Sequence, residues 1–136
     1  MDNIDADMTS DAERRLRVLL VEDNPDDAYL ICRSLERGGC RCTIRQTANL
    51  AELDVALSHE NWDLVIADMA LPGFNGHDVL RHARQSDPEL PVIGLSGLKK
   101  DPRGPEMLAA GASAFVGKDR LAELPATVQR LAFARA

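Results

Sequence analysis

Residues 17–27 read Arg17-Val18-Leu19-Leu20-Val21-Glu22-Asp23-Asn24-Pro25-Asp26-Asp27, and the fold turns on how this stretch is read. A short run of Val and Leu that stops at a cluster of carboxylates has the pattern of a strand buried on both faces. A helix start comes at once after it. Asn24 suits the capping position, Pro25 the first helical position, and Asp26 and Asp27 the positive end of the helix dipole. Ala28, Leu30, Ile31 and Leu35 are expected to line the buried face of this helix, and Gly38-Gly39 to end it.

The same alternation continues outward from there. A weaker strand signal runs from Cys40 to Thr47, and a helix is predicted from about Asn49 to His59, carrying Leu50, Leu53, Val55, Ala56 and Leu57. Asp63-Leu64-Val65-Ile66-Ala67-Asp68 is a strongly apolar strand that ends in a carboxylate. A turn-rich loop over 71–76 leads to a predicted helix from His77 to Gln85, with Val79 and Leu80 inward. Pro91 to Leu95 reads as a strand closed by Ser96-Gly97. Met107 to Ala110 reads as helix ended by Gly111, and Ala114 to Gly117 as a short strand before Lys118. A last helix is expected from Pro125, with Val128, Leu131 and Phe133 on its buried side. Five strands in alternation with helical segments mean βαβ units. The expected fold is an α/β, flavodoxin-like, doubly wound five-stranded parallel sheet of order 2-1-3-4-5, with helices on both faces.

Composition narrows the function. The 136 residues make one domain, of which 45% are hydrophobic and 28% charged. Residues 1–16, rich in Asp, read as a disordered acidic tail, and 17–136 as the folded domain. A net charge of −6 offers no broad basic field for nucleic acid or anionic lipid. There is no apolar run of membrane-spanning length and no secretory signal, so a cytoplasmic location is expected. The three cysteines, Cys32, Cys40 and Cys42, read as reduced thiols; Cys40 and Cys42 with His59 would still fall short of a tetrahedral metal site. His77 and His82 are expected to be exposed.

In an open parallel sheet, ligands bind beyond the carboxyl ends of the strands, where strand order reverses. Those ends deliver Glu22 and Asp23, then Asp68, then Ser96, and finally Lys118. Gathered carboxylates repel one another, and a hard divalent cation resolves that conflict. The reading is therefore a Mg²⁺ site, with Mn²⁺ as an alternative ion. Asp23 and Asp68 would bind the metal directly and Glu22 through water. Asp68, at the end of a central strand, is placed to act as a nucleophile at phosphorus. Lys118 and the Ser96 hydroxyl would take the remaining phosphoryl oxygens, and Gly97 would keep the approach open. Charge added at Asp68 would then draw Ser96 inward and shift the loop and helix beyond it.

Four strings carry a resemblance: VEDNPDD at 21–27, Asp68 with LPGFNG at 71–76, SG at 96–97, and GASAFVGK at 111–118. In this order and at these separations they resemble the receiver domains of two-component response regulators, of which the chemotaxis regulators are examples. The resemblance implies a phosphorylation-dependent switch in a phosphorelay, not a metabolic enzyme, beyond its own phosphorylation and dephosphorylation. It implies a phosphohistidine donor on a sensor histidine kinase or phosphotransfer protein, and leaves a homodimer and the output partner open. The backbone carbonyl of Ala70 is expected to complete the metal site. Phe115 falls where the family has an aromatic residue that swings inward on activation, alongside Ser96.

The chain departs from the family pattern in three places. Asp119 succeeds Lys118 where the family commonly has a proline preceded by a cis bond, which is costly before other residues. The Lys118-Asp119 pair, with a Leu-rich segment and Pro125 after it, resembles receivers found ahead of sensory, kinase or cyclic-dinucleotide modules. Two prolines and a glycine fall within 98–105, where the fourth helix normally begins, so that helix is expected to be short or late. Ala70 and Leu98 stand where side chains tune dephosphorylation in the family, and neither can orient a water. Two rivals remain. One is a pseudo-receiver that binds partners without phosphorylation; the other is an aspartyl-nucleophile phosphatase, whose second Asp would sit where Ala70 does.

Overall fold

A computed structural model describes residues 15–98 and 100–134. The central sheet holds β1 (Leu16–Val21), β2 (Cys42–Thr47), β3 (Leu64–Asp68), β4 (Val92–Ser96) and β5 (Ala114–Gly117). Its order is β2-β1-β3-β4-β5 and every pairing is parallel, the flavodoxin-like arrangement expected. The helices are α1 (Pro25–Arg37), α2 (Leu50–His59), α3 (Gly76–Ser86), α4 (Arg103–Ala109) and α5 (Leu124–Ala134). A short antiparallel ladder pairs Ala70–Leu71 with Phe74–Asn75. The expectation of a disordered tail falls almost wholly on residues outside those described, and Leu16 is already the first residue of β1.

The sheet separates two apolar layers because successive strand residues point to opposite faces. Leu19 and Val21 of β1 face the layer covered by α2, α3 and α4, while Val18 and Leu20 face that covered by α1 and α5. β3 and β4 are buried throughout, which is why both read as continuous apolar runs. Strand β2 lies at the sheet edge, alternates between partly buried and exposed residues over Cys42–Arg45 and buries only Thr47, hence its weaker signal.

The structure corrects several details. On α1, Ala28, Ile31 and Leu35 are buried at helical spacing, but Leu30 is 54% exposed because it lies about 100° around the helix from Ile31. Val55 on α2 is exposed for the same reason. The last helix begins at Leu124, after a 3₁₀ segment over Lys118–Glu123 that carries no periodic pattern. Val128 is buried on α5, while Leu131 and Phe133 are only partly so. His82 is not a freely exposed residue: its Nδ1 lies 2.8 Å from Asp54 Oδ1, joining α3 to α2. The fourth helix is short, seven residues, in line with its prolines.

Candidate functional site

Parallel register delivers the site. β3 and β4 run level so that Asp68 stands opposite Leu95, and Ser96 pairs with Gly117, the residue before Lys118. Glu22 comes directly after β1, and its N–H is held by the Thr47 carbonyl of β2 at 2.9 Å. Asn24 caps α1 by accepting from the N–H groups of Asp26 and Asp27 at 2.8 and 3.2 Å.

Lys118 is the centre of this arrangement. Its Nζ donates to Asp68 Oδ2 and Asp27 Oδ2, each at 2.8 Å, and to Glu22 Oε1 at 3.1 Å. The other Asp68 oxygen accepts the Ala70 N–H at 3.0 Å. Glu22 is fully buried and Asp68 is 5% exposed, so both carboxylates depend on these partners. Burial pushes the Glu22 carboxyl up to about 7; Lys118 and the Asn24 N–H work against that rise, and Asp68 adds to it. Burial disfavours the Lys118 ammonium, but its hydrogen bonds to Asp27, Asp68 and Glu22 outweigh it and raise its pKa.

Oxygens of Glu22, Asp27 and Asp68 all lie within 4.8 Å of one another, a hard-ligand set of the kind that holds Mg²⁺. Two of the expected carboxylates are therefore together. Asp23, expected as a direct ligand, is exposed and outside this group, while Asp27 is inside it. Asp27 is the third residue past the Asn24 cap, the position whose side chain reaches back over the helix start. Its place in the first turn of α1 was legible in the sequence, but its reach to Lys118 across the sheet was not.

Ser96 is buried beside the site, but its hydroxyl is engaged elsewhere. It donates to Asp101 Oδ2 in a short hydrogen bond and accepts from the Leu98 N–H at 3.0 Å. Asp101 in turn takes the Arg103 guanidinium through Nε at 3.0 Å to Oδ1 and Nη2 at 2.6 Å to Oδ2, and also accepts the Arg103 N–H at 2.9 Å. These bonds hold the Asp101 carboxyl well below the usual carboxylate range, Arg103 first and Ser96 after it, against the effect of burial. Arg103 Nη1 also reaches the Met69 carbonyl at 3.3 Å, one residue past Asp68. Neither Asp101 nor Arg103 was a sequence candidate. Phe115 is half-buried, its ring set between Gly94 and Gly104. Gly97 has open space where a side chain would stand, and all peptide bonds among the described residues, Lys118–Asp119 included, are trans.

A doubly wound parallel sheet with carboxylates and a lysine at its carboxyl edge defines a class of α/β domain whose chemistry sits at the switch of strand order. The profile of the response regulator receiver domain matches residues 18–129. The chain is 32% identical to the response regulator protein PilR of Pseudomonas aeruginosa over 121 residues, covering 86% of this chain and 27% of PilR. It is 30% identical to the two-component response regulator ARR17 of Arabidopsis thaliana, covering 80% of this chain and 79% of that protein. A two-component response regulator of the LuxR family from Aurantimonas superposes with a TM-score of 0.78 at 26% identity, over 90% of this chain and 88% of that one. The regulator TrrA of Thermotoga maritima, solved with Mg²⁺ and BeF, gives 0.73 at 26% identity, over 85% and 98%. This chain belongs to the response regulator receiver domain family. It spans only about a quarter of PilR's length.

Proposed function

We propose that this receiver domain accepts a phosphoryl group on Asp68 from a phosphohistidine of a sensor histidine kinase or phosphotransfer protein. One observation carries the reading: a cation of the chain, Lys118, touches Asp68 at 2.8 Å inside a ring of further carboxylates. An Asp68 carboxylate oxygen attacks phosphorus in line, the P–N bond of the donor breaks, and its electron pair returns to the imidazole. The Lys118 ammonium moves with the negative charge from the carboxylate to the phosphoryl oxygens. The Ser96 hydroxyl turns toward the same oxygens. Glu22, Asp68 and the Ala70 carbonyl are the groups that would hold Mg²⁺, with Asp27 or Asp23 completing the set, and a bound ion would neutralise phosphoryl charge there. Ala70 and Leu98 leave no side chain to orient a hydrolytic water, so the phosphoryl group persists. The resulting change of surface is the output, read by a partner protein or domain.

Acetyl phosphate with Mg²⁺ is expected to add a single phosphoryl mass to the intact protein, labile in base. Asp68→Asn should abolish it. A protein that gains no mass falls to the pseudo-receiver reading, and one that gains it equally after Asp68→Asn carries the phosphoryl group elsewhere, so that Asp68 is not the acceptor. Running the series with Asp23→Asn and Asp27→Asn identifies the ligand, since only the loss of a ligand raises the Mg²⁺ concentration required.

A further inference from the structure

Beside the proposed phosphoacceptor lies an ion pair, its carboxylate buried and its guanidinium partly exposed, that the proposed chemistry does not use. The Asp101 side chain is 0% exposed, and both its oxygens are saturated by Ser96 and Arg103. We propose that Asp101 and Arg103 form a latch that holds the Ser96 hydroxyl away from Asp68, so that the latch sets how readily the phosphoryl site closes. The inference rests on Asp68 being the phosphoacceptor. A hydroxyl has one proton to donate. Here Asp101 takes it, and Ser96 must release Asp101 before it donates to a phosphoryl oxygen.

The latch is also tied to both neighbouring parts. Arg103 reaches the Met69 carbonyl beside Asp68, so charge arriving at Asp68 acts on the guanidinium that clamps Asp101. Asp101 lies two residues before α4 and braces its first turn: its side chain accepts the Arg103 N–H, and its carbonyl accepts the Gly104 N–H at 3.1 Å. Gly104 packs on the Phe115 ring. Release of Ser96 thus loosens the first turn of α4 against Phe115. Asp101 is a positioning residue: it acts on the phosphoryl group only through Ser96.

The test uses beryllofluoride with Mg²⁺ as a phosphoryl mimic, with binding monitored by ¹⁹F NMR. Asp101→Asn keeps the shape and removes the charge that holds the Ser96 proton. It is expected to bind beryllofluoride roughly tenfold more tightly than wild type, the size of one hydrogen bond to a charged group. In a Ser96→Ala background the same substitution should change affinity by less than about twofold, because the hydroxyl it releases is gone. An equal gain in both backgrounds would reveal a bare charge effect and overturn the latch, and so would no gain in either. A second measurement needs no variant: the Arg103 Nε–H and Leu98 amide resonances of wild-type protein should both shift on beryllofluoride binding, and resonances that stay still refute the latch. Wild-type protein that fails to bind beryllofluoride at all would sink the Asp68 reading itself.

Discussion

Lys118 is surrounded by three carboxylates, which leaves two uncompensated negative charges when all are ionised. Removing the lysine leaves buried anions facing each other, and breaking such a pair costs more than forming it gains. Lys118→Met is therefore expected to lower metal-free stability by about 2 kcal/mol, discounted from a fully buried pair because Asp27 is partly exposed. Excess Mg²⁺ should restore part of it, and urea denaturation with and without the ion reads both effects; a variant as stable as wild type in chelator would contradict the geometry. Glu22 supplies the second prediction. Its folded pKa of about 7 exceeds the ordinary 4.5, so between these values the folded chain holds a proton that the unfolded chain has lost. The associated stability is complete below pH 4.5 and fades as pH rises through about 7. Metal-free protein should show a urea midpoint that falls as pH is raised from the lower of these values to the upper, and Glu22→Gln should flatten that fall. An unchanged slope in the variant would assign the proton elsewhere.

At the scale of elements, α4 is the unusual member. Its seven residues carry Gly104 and Pro105 in the first turn, it has no side-chain bond from its N-cap, and Met107 anchors it in the core. A Cβ on Gly104 would stand 2.8 Å from a Phe115 ring carbon, and one on Gly94 would meet the opposite edge at 2.8 Å. The ring thus occupies a slot that two glycines keep open. Gly104→Ala should cost about 1–2 kcal/mol, overpacking outweighing the better helix propensity of alanine. In a Phe115→Ala background it should become neutral or stabilising; thermal unfolding of the four proteins gives the cycle, and an equal cost in both backgrounds would place the ring outside the slot. The same physics governs which elements were legible in the sequence. β1 and β3 announce themselves because both of their faces are buried, and α1 because Asn24 and Pro25 fix its start. Lys118 and Asp68 were legible as the polar ends of apolar strands. The Asp27–Lys118 bond joins residues 91 apart, and local rules give Asp27 a sufficient role at the helix dipole, so nothing in the sequence pointed across the sheet. Asp101 and Arg103 lay in a proline-rich stretch that offers no periodicity to read, and only the fold shows the Asp101 carboxylate buried near the β4 end with Arg103 against it.

Across the whole molecule, burial is unevenly shared, and the distribution suits a switch. β1, β3 and β4 are enclosed by both apolar layers, so their amides are expected to open only when the domain unfolds. Around the end of β4 and along α4 the described residues include few buried groups, Asp101, Gly104 and Met107 among them: Leu98 and Leu108 are exposed, and Lys100 holds a left-handed backbone with φ of 51°, which costs a non-glycine residue about 1 kcal/mol or more. Under the proposed function, a phosphoryl group on Asp68 would add charge next to this weak segment and at the end of the strong one. The free energy of the event is a few kcal/mol at most, enough to reorganise α4 and far too little to repack the sheet. Amide hydrogen exchange should therefore show fast exchange over 97–110 in free protein and altered protection there once beryllofluoride and Mg²⁺ are bound. Amides of β1 and β3 should keep globally limited exchange, slowing only by the added stability of ligand binding. A change concentrated in α1 or β2, with α4 unmoved, would mean that the signal leaves Asp68 through the Glu22–Asp27 side of the pocket. In that case the Phe115 slot is packing alone.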